Sequence, residues 1–204
     1  SPGGTVDGTM DLAETIYNSR GKKPITAYSD GVMASAAYWI GAAADKVLIA
    51  NDTTTVGSIG VVSTHVDETK ALEEMGLKVT QFIAGKYKNI GSSVRPLTEE
   101  DAAYIQDRVD YLYSAFVDSV AKYRDTSAET VLSDMADGRI FTGKQAIKAG
   151  LVDGVSTLDA LIGSGVSNNN IKIQTKEDNT MALTIEQVKA DAALYASICA
   201  EVEK

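Results

Sequence analysis

Ser35 stands in DGVMASAAYWIGAAADKV, a serine in a crowd of alanines. Its setting is that of a nucleophile at a turn from a strand into a helix. Such a turn lifts the hydroxyl out, and the helix N-terminus favours negative charge developing nearby. The small neighbours Ala34, Ala36 and Ala37 leave room for a substrate backbone. The same serine would also serve as an ordinary helix cap. Acyl transfer further needs hydrogen-bond donors for an oxyanion and a base. The chain opens on SPGG, where Pro2 fixes one dihedral and Gly3 and Gly4 free the next ones. The N–H groups of that turn and of Ala36 are candidate oxyanion donors.

Three residues compete for the base. His65, the only histidine, lies in VVSTHVDE near a strand end, where an edge or surface role is its ordinary one. Lys86 and Lys88 lie in the glycine-flanked stretch AGKYKNIGSS. A lysine can act as a base when burial or neighbouring cations favour its neutral form. In an extended loop both lysines face one side, so spacing leaves the choice between them open.

These residues need a scaffold. TVDGTMDLAETIYNSRG carries Met10, Ala13, Ile16 and Tyr17 at helical spacing, ended by Gly21. KPITAYS, KVLIA, VVSTHV and LKVTQFIA read as strands, and NDTTTVGSIG reads as a loop. ASAAYWIGAAA reads as a buried helix, and DETKALEEMG as a helix closed by Gly76. The longest helix follows Thr98, its N-cap, with acids in the first turn. Its apolar stripe is Ile105, Val109, Leu112, Phe116, Val120 and Tyr123. A helix from Ser127, the short RIFTG, the helix KQAIKAG and LVDGVSTLDALIG complete the pattern. Strands alternating with helices predict an α/β domain with a largely parallel sheet.

Composition narrows the function. The net charge of −9 repels polyanions and argues against nucleic-acid binding. Cys199 is the single cysteine, so no intrachain disulfide forms. No apolar run approaches the roughly 20 residues of a membrane span. Three segments are expected: a domain over 1–163, a polar linker over 164–180 and a helical tail over 181–204. In the tail Ile185, Val188, Ala192, Tyr195, Cys199 and Val202 follow a heptad step. A surface helix packed on its own domain is the equal alternative.

SPGG, DGVMASAAYWIGAAADKV, TVGSIGVV, GKYKNIGSSVRPLTEED and GRIFTGKQAIKAGLVDGV occur in this order. Together they resemble the signal peptide peptidase A family of serine proteases, and its phage prohead-protease branch more closely. The likeness covers about residues 1–163. It implies a Clp protease/crotonase-like superhelix of ββα units, with strands before SPGG that this sequence does not contain. It places the nucleophile on Ser35, the general-base lysine on Lys88, the lysine-orienting hydroxyl on Ser58 and the oxyanion donors on Gly3, Gly4 and Ala36. Ala36 stands where the family usually has glycine. The loop that bears the histidine in Clp proteases is matched here by TVGSIG, which has none; this tells against His65.

The resemblance implies a Ser-Lys endopeptidase with no metal and no cofactor, acting on protein substrates as a ring oligomer. The lysine then reaches the serine of its own or a neighbouring subunit. The phage branch implies capsid and scaffold proteins as partners and a site in the host cytoplasm or prohead. It also makes Met181 a candidate internal start for a scaffold protein. The alternatives are a membrane-associated signal peptide peptidase, a scaffold protein with an inactive protease domain, and a crotonase-like acyl-CoA enzyme.

Overall fold

The computed structural model describes residues 1–164 of the 204-residue chain. The expected linker beyond Ser164, the helical tail with its heptad seam and the start at Met181 lie outside the described residues.

The described chain is mixed α/β and contains two small sheets. In the first, β1 (Thr26–Ser29), β3 (Lys46–Ile49) and β6 (Gly154–Val155) run parallel in the order β1-β3-β6. In the second, β2 (Val32–Ala34) is parallel to β4 (Thr55–Gly57), and β5 (Ile140–Thr142) is antiparallel to β4. The expectation of one largely parallel sheet is thus corrected to two three-stranded ones. TVG, expected as loop, is the central strand of the second sheet because β2 and β5 pair with its two edges.

Helix α1 (Thr9–Tyr17) packs on α2 (Ala36–Ala42). It ends at Tyr17, before Gly21, because Ser19 and Arg20 bond back to Ile16 and Tyr17 as turns. Helix α2 is buried along most of its length, as its alanine-rich sequence predicts. Tyr38, Trp39, Val47, Ile49, Val56, Phe116, Val120 and Leu151 form the centre of the core. Arg20 locks two helix ends to this core. Its guanidinium donates to the carbonyls of Ala42, Ala43, Ala44 and Tyr123 at 2.7–3.0 Å. A cation is favoured there because the C-terminal carbonyls of α2 and of α4 (Glu99–Tyr123) have no partners within their own helices.

Thr98 caps α4 through a reciprocal box. Its hydroxyl accepts from Asp101 N–H at 3.1 Å, and Asp101 accepts from Thr98 N–H at 3.3 Å. The apolar stripe of α4 splits in two. Phe116, Val120 and Tyr123 are buried, whereas Ile105, Val109 and Leu112 are half-buried along an open cleft. Beyond α4, the helix from Ser127 is only α5 (Ala128–Thr130), continued by a π-turn at Val131–Met135. Helix α6 (Gly143–Lys148) and α7 (Leu158–Ser164) complete the described elements.

Helix α3 (Thr69–Glu74) forms as expected, but its flanks do not. VVSTHV and LKVTQFIA are not strands, and Val62 and Phe82 are 85% and 97% exposed. A strand needs a neighbour to take its N–H and C=O groups. Among the described residues no strand lies beside these two segments.

Asp101 anchors the start of α4 in a second way, through Arg95 at 2.5 Å. Burial raises its pKa, but the bonds from Thr98 and the Arg95 guanidinium outweigh that and hold it below the usual carboxylate value. A depressed carboxylate stabilises the fold above its unfolded pKa, about 3.9, and loses that contribution as pH falls through the folded value. Helix α4 and the preceding loop are therefore expected to loosen below about pH 4. Asp101→Asn should show the loosened state already at neutral pH. Hydrogen exchange across 85–105 at stepped pH is the check.

Candidate active site

Ser35 is the single residue between β2 and α2. Its φ of 53° and ψ of −127° lie in territory that favours glycine. Such a conformation costs on the order of 1–3 kcal/mol and persists only where neighbours enforce it. Two bonds enforce it here. Ser35 N–H donates to Gly57 O at 2.8 Å, and Ser35 O accepts from Trp39 N–H at 3.0 Å. Ser35 holds the N-cap position of α2, yet its hydroxyl makes no capping bond. The helix-cap alternative is thereby set aside, and the oxygen is left for another use.

SPGG lies directly over this serine. Ala34 N–H donates to Ser1 O at 3.1 Å, which lays the turn along β2. A Cβ on Gly3 would stand 2.6 Å from Ser35 Cβ and 2.9 Å from Ala34 O, and φ at Gly3 is 108°. Only glycine fits that approach. The two stretches singled out in the sequence therefore meet. Gly3 N–H is engaged with Ser1 Oγ at 3.3 Å. Gly4 N–H has no acceptor among the described residues. Ala36, the first residue of α2, has no acceptor within the helix. Gly4 and Ala36 are thus the two donors left open beside Ser35, and both line one cleft with it.

Gly57 and Ser58 close the other side. Ser58 follows the glycine whose carbonyl fixes Ser35, has φ of 52°, and donates its N–H to Arg139 O at 2.8 Å. Its hydroxyl has no bond among the described residues.

The loop 85–91 brings its own geometry. Lys86 is paired with Glu100 at 2.6 Å, and that bond raises its pKa above the usual lysine value. This is the wrong direction for a base. Lys88 is exposed and has no ion pair among the described residues. The structure places it two residues before Ile90, which lines the cleft, but forms no bond between it and Ser35. The loop is held by Arg95, whose guanidinium donates to Asn89 O at 2.9 Å while pairing with Asp101. His65 lines the cleft, with Nε2 at 3.1 Å from Ser92 O.

The cleft has a volume of about 760 Å³. Trp39 and Phe116 form its inner wall, stacked with centroids 4.3 Å apart. Ile105, Val109 and Leu112 of α4 extend it outward. Three contributors to the site carry no signal in the sequence. Gly57 looked like loop, the Arg95–Asp101 anchor joins residues with no motif of their own, and half of the α4 stripe looked like core. Among the described residues no group of three or more His, Cys, Asp or Glu residues could hold a metal ion. No helix among them is long and apolar enough to cross a membrane.

The model of peptidase family S49 matches residues 18–172. A Methanocaldococcus jannaschii protein named as a candidate protease is 41% identical over 157 residues, covering 77% of this chain and 50% of its own length. The capsid assembly protease C of Escherichia phage lambda is 32% identical, covering 79% of this chain and 36% of the phage protein. The chloroplastic serine protease SPPA of Arabidopsis thaliana is 31% identical, covering 86% of this chain and 26% of the plant protein. The chain thus spans half or less of the length of these relatives. With a family match over most of its residues, the chain belongs to peptidase family S49.

Proposed function

We propose that this chain is a serine endopeptidase in which Lys88 serves Ser35. The observation that carries the reading is the Ser35 hydroxyl, held in a strained turn, spared from capping and flanked by open N–H donors. Neutral Lys88 takes the hydroxyl proton as Ser35 Oγ attacks a peptide carbonyl carbon. The carbonyl oxygen becomes an oxyanion held by Gly4 and Ala36 N–H, with Gly3 letting the turn approach. Lys88 passes its proton to the amine that leaves. Water then attacks the acyl-Ser35 ester with Lys88 again as base, releasing the acid and restoring the serine. Ser58, beside the junction, is assigned to orient the lysine.

Lys88 and Ser35 share no bond within one chain, so the dyad is completed when subunits assemble in a ring. The lysine then comes from the same subunit or its neighbour. Substrates are proteins or peptides. The finer role proposed is capsid maturation, cleaving scaffold and capsid proteins in a phage prohead. The similarity to the lambda capsid assembly protease supports it. The M. jannaschii and plant relatives support the broader peptidase reading equally.

Three outcomes test these statements. Ser35→Ala should abolish labelling by a fluorophosphonate and keep the strained turn. Ser35→Gly should abolish it too but relieve the positive φ, leaving that variant about 1 kcal/mol more stable than Ser35→Ala in urea unfolding. Lys88→Ala should lower the labelling rate of the oligomer by on the order of 10²–10⁴, whereas Lys86→Ala and His65→Ala should leave most of it. If the dyad spans subunits, mixing Ser35→Ala with Lys88→Ala chains should restore part of the signal. For the capsid role, scaffold and capsid genes should flank this one, and co-expression with their products should yield cleavage products that Ser35→Ala eliminates. Intact scaffold beside an active peptidase would refute that role alone.

A further inference from the structure

The outward half of α4 carries an arginine that neither the core nor the proposed chemistry uses. Arg108 lines the cleft and is its only lysine or arginine among the described residues. Its guanidinium has no hydrogen bond or ion pair among the described residues. The helix gives it no partner either, because positions 104, 105, 111 and 112, three and four residues away, are Tyr, Ile, Tyr and Leu. Arg108 is exposed, and it shares the cleft with the apolar Ile105, Val109 and Leu112 and with polar groups that include Asp7 and His65.

The rise of α4 gives the subsite a scale. Phe116 stacks on Trp39, one helical turn after Ser35 in α2, and all three line the cleft. Arg108 lies eight residues before Phe116 in α4, roughly 12 Å along that helix axis at 1.5 Å per residue. An extended peptide advances about 3.3 Å per residue, so that span corresponds to three or four substrate residues. Guanidinium pairs with carboxylate through two parallel N–H···O bonds, which an amide cannot match.

We propose that Arg108 forms a subsite for a substrate carboxylate three or four residues from the scissile bond. The carboxylate belongs to an Asp or Glu side chain or to the C-terminus of the substrate. The intervening residues lie on the apolar wall of Ile105, Val109 and Leu112. This subsite rests on the peptidase reading and adds to it a substrate class, an apolar segment with an acid at a set distance.

The test is protection of Ser35 in the full chain from a fluorophosphonate by matched peptides. One pair places Glu or Gln at the third or fourth residue on either side of the central bond. A second pair ends there in a free acid or an amide. At low salt the Glu or free-acid peptide should protect about threefold to fivefold better. That ratio should shrink in 1 M salt, where screening is short-ranged. It should fall to about one in Arg108→Ala and invert in Arg108→Glu when Lys replaces Glu in the peptide. The source of the carboxylate is read from which pair responds. Equal protection within both pairs, no protection by any peptide, or a preference that survives Arg108→Ala overturns the subsite while Ser35 labelling still supports the peptidase. Absence of Ser35 labelling overturns both. An arginine whose stem merely covers apolar surface would give equal protection.

Discussion

The site depends on one contact, the approach of Gly3 to Ser35. The turn between β2 and α2 holds Ser35 in a backbone conformation that serine avoids. The bond from Ser35 N–H to Gly57 O supplies the restraint from one side. SPGG, laid along β2, occupies the other side so closely that a Cβ at Gly3 would sit inside the serine's own. Between these restraints the hydroxyl makes no capping bond to α2. Strain of this kind persists because a packed core surrounds it, here Trp39 and Phe116 beneath and the Arg20 lock on the far end of α2.

From this contact the remaining parts follow in order. A nucleophile at a helix start brings Ala36 N–H beside it, and the turn that presses on it brings Gly4 N–H. The lysine loop approaches from α4, tied to the helix cap through Arg95, Asn89 O and Asp101. The long helix thus has two tasks. Its C-terminal half completes the core, and its N-terminal half carries the loop anchor and one wall of the cleft.

Local chemistry was legible in the sequence, and partnership was not. The Thr98 cap and the apolar α2 follow from residue types and near neighbours, and both are present; SPGG and the Ser35 turn are joined by the donors that acyl transfer needs, and they do meet. The strand at Thr55–Gly57 was hidden because three residues without alternation look like loop until two other strands flank them. VVSTHV and LKVTQFIA failed in the opposite sense. Their β-rich composition states a capacity to pair, and composition does not supply the pairing strand. Ile105, Val109 and Leu112 match the period of a buried stripe, but period alone does not distinguish a core from a cleft wall. Spacing leaves Lys86 and Lys88 equal, and what sets them apart in the structure is Glu100, whose bond to Lys86 across the loop no local spacing reveals.

The most direct measurement is a structure of the assembled protein with a peptide boronate bound to Ser35. The expected result is a boron–Oγ bond, a boronate oxygen at about 2.7–3.1 Å from Gly4 and Ala36 N–H, and Lys88 Nζ in hydrogen-bond reach of Ser35 Oγ. A boronate oxygen turned away from those two amides, or His65 Nε2 in the place assigned to the lysine, would contradict it.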